Sequence, residues 1–253
     1  MVIETEVREE VAVIRLNRPE AKNSLTMAQI EELGAAVASA ASTPARCLLI
    51  TGVGGAFCAG RDLKEVDPER DDTYRLMTSL LHPLLCAVRE FPVPTVASVV
   101  GPALGLGFGL AMSCDIVLAA ERAVFGSPFR NFGGVLDSGG HYYLERRIGP
   151  HRAAELIFTG RLIDGVAAAT MGLVNRAVPA PQLESESWSL CRLIASGPTK
   201  AFQATKHILA QCRTFEETLE LEARGMDAAL KGADGREGLR AFREKRTPRF
   251  TGS

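Results

Sequence analysis

Half of the glycines in this 253-residue chain fall in three short segments. Residues 52–60, 101–109 and 133–140 hold four each, out of 24. Glycine is used where backbone must turn sharply or approach something closely, because it lacks the Cβ that forbids both. Each segment comes after an apolar stretch of strand character: Cys47-Leu48-Leu49-Ile50, Pro94 to Val100, and Ile116 to Ala120. A chain patterned this way is confined to strand–loop–helix units. Three such loops point to one ligand gripped by main-chain groups.

The remaining patterns agree with an α/β chain built from crossovers. Residues 2–7 and 11–16 alternate as strands. Thr26 and Gln29 have capping-box spacing ahead of a helix with apolar Met27, Ile30, Leu33 and Val37. Arg61 to Asp72 carries six acids and three bases around Pro68, which predicts a solvated, mobile loop. Helices are expected over 73–90, in a short apolar segment ending at Cys114, and over 141–148. After about Pro179 the strand pattern stops, and helical periodicity runs to Arg246. The expected organisation is a core over 1–195 and a helical region over 196–253.

Composition narrows the function. With 46% hydrophobic and 23% charged residues the chain is an ordinary globular one, and its net charge of −1 supplies no field for nucleic acid or an anionic membrane. The uncharged stretch Phe91 to Cys114 has the length of a membrane span, but three prolines and four glycines divide it into a buried strand and a buried helix. The first residues lack a basic head followed by an apolar run, so no signal peptide is expected. Six scattered cysteines predict buried thiols in a reducing, cytoplasmic setting, and four histidines without ligand spacing predict no metal site.

Familiar motifs fail on inspection. Gly105-Leu106-Gly107-Phe108-Gly109 imitates a dinucleotide fingerprint with its third glycine one residue early. Ser138 and His141 share a helix face, but no glycine elbow surrounds the serine. What survives is a pair of backbone donors: a helix starting at Leu106 leaves its first N–H groups unpaired, and the loop Phe57 to Asp62 aims another. Two converging N–H groups make an oxyanion hole, and tight turns without ligand are the alternative.

Phe57-Cys58-Ala59-Gly60-Arg61-Asp62-Leu63-Lys64 and Gly101-Pro102-Ala103-Leu104-Gly105-Leu106-Gly107 resemble the two oxyanion-hole signatures of the crotonase (enoyl-CoA hydratase/isomerase) superfamily. Leu16-Asn17-Arg18-Pro19-Glu20-Ala21-Lys22-Asn23, Thr159-Gly160-Arg161 with Gly172-Leu173-Val174-Asn175, and residues 241–248 resemble three further family segments in the same order. The resemblance implies a crotonase-like ββα spiral core with a C-terminal α-helical trimerisation region, as a homo-trimer or hexamer. It implies acyl-CoA thioester substrates and no cofactor beyond the substrate's own coenzyme A. The oxyanion donors fall on Arg61 and Leu106, the latter where the family normally has glycine, so a narrower pocket is expected. Substrate and CoA contacts are implied for Lys22, Ala59, Gly60, Asp62, Leu63, Gly105, Phe129, Phe242 and Lys245. Asp62 and Asp115 are also expected to anchor loops through backbone N–H groups.

The carboxylates separate the members. The two glutamates of the family's hydratases fall here on Gly109 and Phe129, neither of which carries a proton. Asp137 matches the lone aspartate of the ring-epoxide and 3-enoyl-CoA isomerases, the likeness extending through Ser138-Gly139-Gly140-His141-Tyr142-Tyr143-Leu144. Isomerisation through a thioester enolate, with Asp137 as single acid and base, is therefore expected. The alternatives are an N-cap role for Asp137 in a non-catalytic acyl-CoA-binding member, a hydrolase or dehalogenase, and a hydratase-like enzyme using another acid. Phe129, Phe132, Leu106 and Phe108 are expected to line the acyl pocket, suiting a medium chain or an aromatic ring.

Overall fold

The computed structural model describes residues 1–211 and 214–253. Strands β1 (Ile3–Arg8) and β2 (Val11–Leu16) form a hairpin whose turn residues Glu9 and Glu10 both have positive φ. Helix α1 (Met27–Ala41) begins at the expected capping box: Gln29 N–H donates to Thr26 Oγ1 and Thr26 N–H to Gln29 Oε1 at 3.0 Å. Strand β3 (Cys47–Gly52) follows, then the acidic loop. Within that loop Arg61 and Asp71 form an ion pair at 3.1 Å and Asp71 also accepts the Asp67 N–H, while most of its residues are exposed. Helix α2 (Thr73–Leu76) continues through a π-helical stretch, Met77–Leu81, into α3 (His82–Arg89).

Strand β4 (Thr95–Val99), strand β5 (Ala103–Leu104) and helix α4 (Leu106–Ser113) account for the uncharged stretch. Among the described residues no helix is long and apolar enough to cross a membrane. Strands β6 (Ile116–Ala120) and β7 (Val124–Gly126) precede α5 (Gly140–Ile148), α6 (Pro150–Thr159), β8 (Ile163–Asp164), α7 (Gly165–Thr170), β9 (Arg176–Val178) and α8 (Ala180–Ala195). The order β1-β2-β3-β4-β6-β9 makes a six-stranded sheet, parallel except for the hairpin; β5-β7-β8 make a second, three-stranded sheet.

Parallel strands are covered on both faces, which explains their unbroken apolar runs. Ala12, Ile14, Leu16, Leu48 and Ile50 point into the main core with α1, α3 and α4. Their neighbours Val11, Val13, Cys47 and Leu49 meet Cys191 and Ala195 of α8. Helices α9 (Thr199–Gln211), α10 (Phe215–Lys231) and α11 (Ala233–Glu244) complete the chain. Thr199 is buried in α9, no residue is buried in α10, and Leu219, Met226 and Phe242 are exposed. Arg46 ties this region to the sheet by donating to Thr199 Oγ1 at 2.7 Å, to Phe250 O at 3.2 Å, and to Gly197 O. Four cysteines are buried and free as expected, Cys86 is exposed, and Cys212 lies outside the described residues. Burial pushes the Cys58 and Cys114 thiols up to about 12, so neither is a nucleophile.

Candidate active site

The first two glycine loops are stitched together by main chain. Phe57 and Cys58 donate their N–H groups to Pro102 O at 3.1 and 2.9 Å, and Leu104 N–H returns to Cys58 O at 2.9 Å. Gly107 sits against Cys58 so closely that a Cβ would overlap the Cys58 carbonyl oxygen. Gly60 has φ +97°, and a Cβ on it would stand 2.8 Å from Leu104 O and 3.5 Å from Leu106 N. Glycine at these positions lets one loop press onto the first turn of α4.

Two N–H groups emerge from this junction without protein partners. Arg61 forms a bridge with Leu25 in which Leu25 N–H donates to Gly60 O and Asp62 N–H to Leu25 O, both at 2.8 Å, leaving the Arg61 N–H facing away. Leu106 is the first residue of a helix buried along its whole length, capped by Gly105 with no side-chain hydrogen bond. A buried helix start with unpaired donors is an anion site unless something else fills it. Gly105 takes the positive φ (+53°), so Leu106 keeps an ordinary helical backbone. The Leu106 side chain is 2% exposed and belongs to the core.

Supporting residues fix the loops. Asn23, fully buried with φ +56°, donates to Val53 O at 3.0 Å and Ala56 O at 2.8 Å and accepts the Arg18 N–H at 2.7 Å. Asp62 accepts from Arg18 Nη1 at 2.9 Å and Lys64 N–H at 3.2 Å, contacts that hold its carboxyl below the usual range. Asp115 accepts from Thr95 N–H, Thr95 Oγ1 and Lys206 Nζ at 2.7–2.9 Å. The side chains of both aspartates are thus spent on structure. Asp62 contributes to the site as an anchor of its loop.

Asp137 is different. Helix α5 is capped by Gly139, and no N–H of its first turn donates to the Asp137 carboxylate. Asp137 Oδ1 is buried without a hydrogen-bond partner. Burial pushes its carboxyl above the ordinary value, against the opposing pull of the Ser138 hydroxyl, His82 and the Arg61 guanidinium. His82 and the Arg61 guanidinium are the charged groups of other elements that act on this carboxyl. Ser138, 4% exposed with φ +54°, packs on Gly109 of α4, where a Cβ would overlap both the Ser138 carbonyl oxygen and its Cβ.

Of the residues expected at the site, Lys22, Ala59, Gly60, Arg61, Gly105, Leu106 and Phe129 come together. Lys22 is exposed and accepts the Ala59 N–H on its carbonyl at 3.0 Å. Phe129 lies over Gly105, whose Cβ would stand 3.4 Å from the ring, and packs edge-on against Phe132 with centroids 5.0 Å apart. Leu63 is exposed beside the loop. Phe108 and Leu136 are buried in the core and line a small cavity with Phe125, Leu144 and Leu156; Phe108 therefore cannot line an open acyl pocket. Phe242 and Lys245 are exposed on α11, and no hydrogen bond, ion pair or ring contact joins them to these loops within the chain. Asn23, His82 and the packing of Ser138 were not legible in the sequence. An Asn able to adopt positive φ after a Pro-containing turn was the only hint of the first.

Fold and junction together place two main-chain N–H groups on adjoining glycine loops, in a structure that also buries one oxygen of the Asp137 carboxylate. The family described as Enoyl-CoA hydratase/isomerase matches residues 6–253, and the chain belongs to that family. A Rhodobacter capsulatus protein named "Probable enoyl-CoA hydratase" is 38% identical over 252 residues, covering 99% of this chain and 98% of that one. The structure of an enoyl-CoA hydratase from Bacillus anthracis superimposes with a TM-score of 0.95 at 34% identity, covering 100% of both chains. One from Mycobacterium smegmatis gives 0.92 at 29% identity, covering 99% of each. The crotonase fold with its C-terminal helical region is thereby shown.

Proposed function

We propose that this chain isomerises acyl-CoA thioesters through an enolate, with Asp137 as its single acid and base. The thioester oxygen lies between the N–H groups of Arg61 and Leu106, which strengthen as charge develops on it. Asp137 takes a proton from C2 of a 3-enoyl thioester, leaving a dienolate. Returning that proton at C4 gives the conjugated 2-enoyl thioester and restores the carboxylate. Each oxyanion donor is worth about 10²–10³ in rate, and the base about 10²–10⁴.

The observation that carries this proposal is the unpartnered carboxylate of Asp137. A buried acceptor left unsatisfied costs roughly 1–3 kcal/mol, and capping would have relieved it. The names of the relatives favour hydration. Against it stand Gly109 and Phe129 at the two glutamate positions, and Ser138 filling the room that a side chain at 109 needs. Lys22, Ala59, Gly60, Leu63, Gly105 and Phe129 border the substrate. Lys245 and Phe242 meet its CoA portion across a boundary between copies, in a trimer or hexamer built on the exposed apolar side chains of α10 and α11. The free buried thiols suit a cytoplasmic setting. No cofactor is called for beyond the CoA of the substrate.

The test mixes the protein with a 3-enoyl-CoA and follows absorbance of the conjugated product, with Asp137→Asn run beside it. Conversion by the wild type alone is expected. Full activity in Asp137→Asn would sink the assignment, as would hydration of crotonyl-CoA without any double-bond shift. Trapping of a covalent acyl-enzyme would move the chemistry to hydrolase or dehalogenase.

A further inference from the structure

Ser138 combines three features that a structural role leaves unexplained. Its φ of +54° is a conformation that a residue with a side chain adopts at a cost and that glycine adopts freely. Glycine follows it directly at 139 and 140, and Gly139 takes a positive φ as well, so the chain supplies glycine for this conformation next door but not at 138. Its hydroxyl is buried and has no hydrogen-bond partner. The adjacent residue carries a buried carboxylate oxygen that also lacks one. A donor and an acceptor on neighbouring residues, close enough for the hydroxyl to draw the carboxyl down but without hydrogen-bond geometry, cost free energy unless they are joined in the working state.

Packing limits what Ser138 can do instead. Its Cβ and carbonyl oxygen are pressed against Gly109, so the backbone of the loop is held on α4 and the hydroxyl has little freedom beyond rotation about χ1. The groups facing the carboxylate from other elements are Arg61, on the loop after β3, and His82, at the start of α3. The Arg61 guanidinium is engaged by Asp71. Helix α4 offers no charged side chain. The Ser138 hydroxyl, on the adjacent residue, is buried and uncommitted.

We infer that Ser138 is a positioning residue for Asp137, its hydroxyl donating to the neighbouring carboxylate so that the base is held in one orientation and ionised while it works. This rests on Asp137 being the base. Hydrogen bonding to the charged form favours that form. Removing the hydroxyl then leaves burial less opposed, and the carboxyl gains its proton at higher pH.

Two variants separate the hydroxyl from the backbone. Ser138→Ala removes the hydroxyl and keeps the strained φ; Ser138→Gly removes the hydroxyl and relieves the strain. Both are expected to move the acid limb of the pH–rate profile for the double-bond shift upward by about one pH unit, with kcat reduced and KM little changed. Ser138→Gly is expected to melt no lower than the wild type, so it carries the comparison if the alanine variant folds poorly. The carboxyl titration of Asp137 followed by NMR, assigned with Asp137→Asn, should show the same displacement without turnover. A wild-type profile and titration in Ser138→Gly would overturn the inference. Full activity in Asp137→Asn would overturn the base assignment instead, so the two failures are distinguishable.

Discussion

Placing one methyl group on Gly109 tests how closely the third glycine segment is fitted to α4. A Cβ at that position would stand 3.1 Å from the Ser138 carbonyl carbon and overlap the Ser138 carbonyl oxygen and Cβ, well inside the 3.0 Å limit of real Cβ contacts. Ordinary contact begins at 3.4 Å, so the Ser138 backbone must retreat by about 1 Å. Helix α4 cannot give way, because all of its residues are buried. The displacement therefore falls on Asp137-Ser138. Overpacking of this kind costs about 1–3 kcal/mol in stability, and a catalytic group misplaced by about 1 Å loses roughly 10²-fold in rate. Gly109→Ala should thus lower Tm by several degrees and cut the double-bond shift about a hundredfold, measured by calorimetry and by absorbance of the conjugated thioester. Gly109→Glu with Phe129→Glu should also fail to create a hydratase, because the first carboxylate has no room. A Gly109→Ala variant with wild-type Tm and rate, or a doubly substituted variant that hydrates crotonyl-CoA efficiently, would refute the reasoning.

Gly34, on α1, is the matched control: a Cβ there meets nothing within 4 Å, so Gly34→Ala should raise stability by about 0.5–1 kcal/mol without touching the rate. Asp137→Asn should change the pH dependence of unfolding. A carboxyl raised by burial stabilises the fold below its unfolded value and loses that contribution as pH rises through the folded value, so the variant's Tm advantage should grow from pH 4 toward neutrality. Equal Tm curves would contradict a buried carboxylate. Arg46→Leu strips donors from Gly197 O, Phe250 O and Thr199 Oγ1. It should cost about 3 kcal/mol or more in denaturant unfolding and expose the C-terminal tail to proteolysis.

Much of this was legible because local signals and tertiary demands coincide. The capping box at Thr26, the apolar strands and the glycines at 60, 105 and 107 each encode a local geometry that the fold also requires. The free N–H at Leu106 was legible for the same reason: a helix start capped by glycine leaves its N–H groups free wherever it sits. The charge of the acidic loop was legible in composition but its pairing was not, since Asp71 meets Arg61 ten residues away. The burial of the Leu106 side chain was not legible, because the orientation of a side chain on the first turn depends on what packs beside it. Position 138 could not be read, since nothing in a serine's neighbours announces a positive φ or a hydroxyl without a partner.

The unfavourable terms concentrate in one place. Glycine would serve better than serine at φ +54°, and a neutral side chain would serve better than Asp137 in its buried setting. Elsewhere among the described residues several ionisable groups that enter the interior are paired: Arg46 with two carbonyls, Thr199 and Glu10; Asp62 with Arg18; Asp115 with Lys206; Asp234 with the N–H groups of Thr251 and Gly252. Among the described residues the other buried carboxylates are satisfied and Asp137 Oδ1 is not, a local cost in stability that folding alone does not require. Proton transfer does require it, because a carboxylate already saturated with donors is a weak base, whereas one kept desolvated regains basicity toward a carbon acid placed next to it. The same loop presses Ser138 against Gly109, so on the proposed mechanism the loop that carries the base also removes the room for a water-positioning acid. Under that proposal, isomerase and hydratase chemistry are mutually exclusive packings of one loop on one helix.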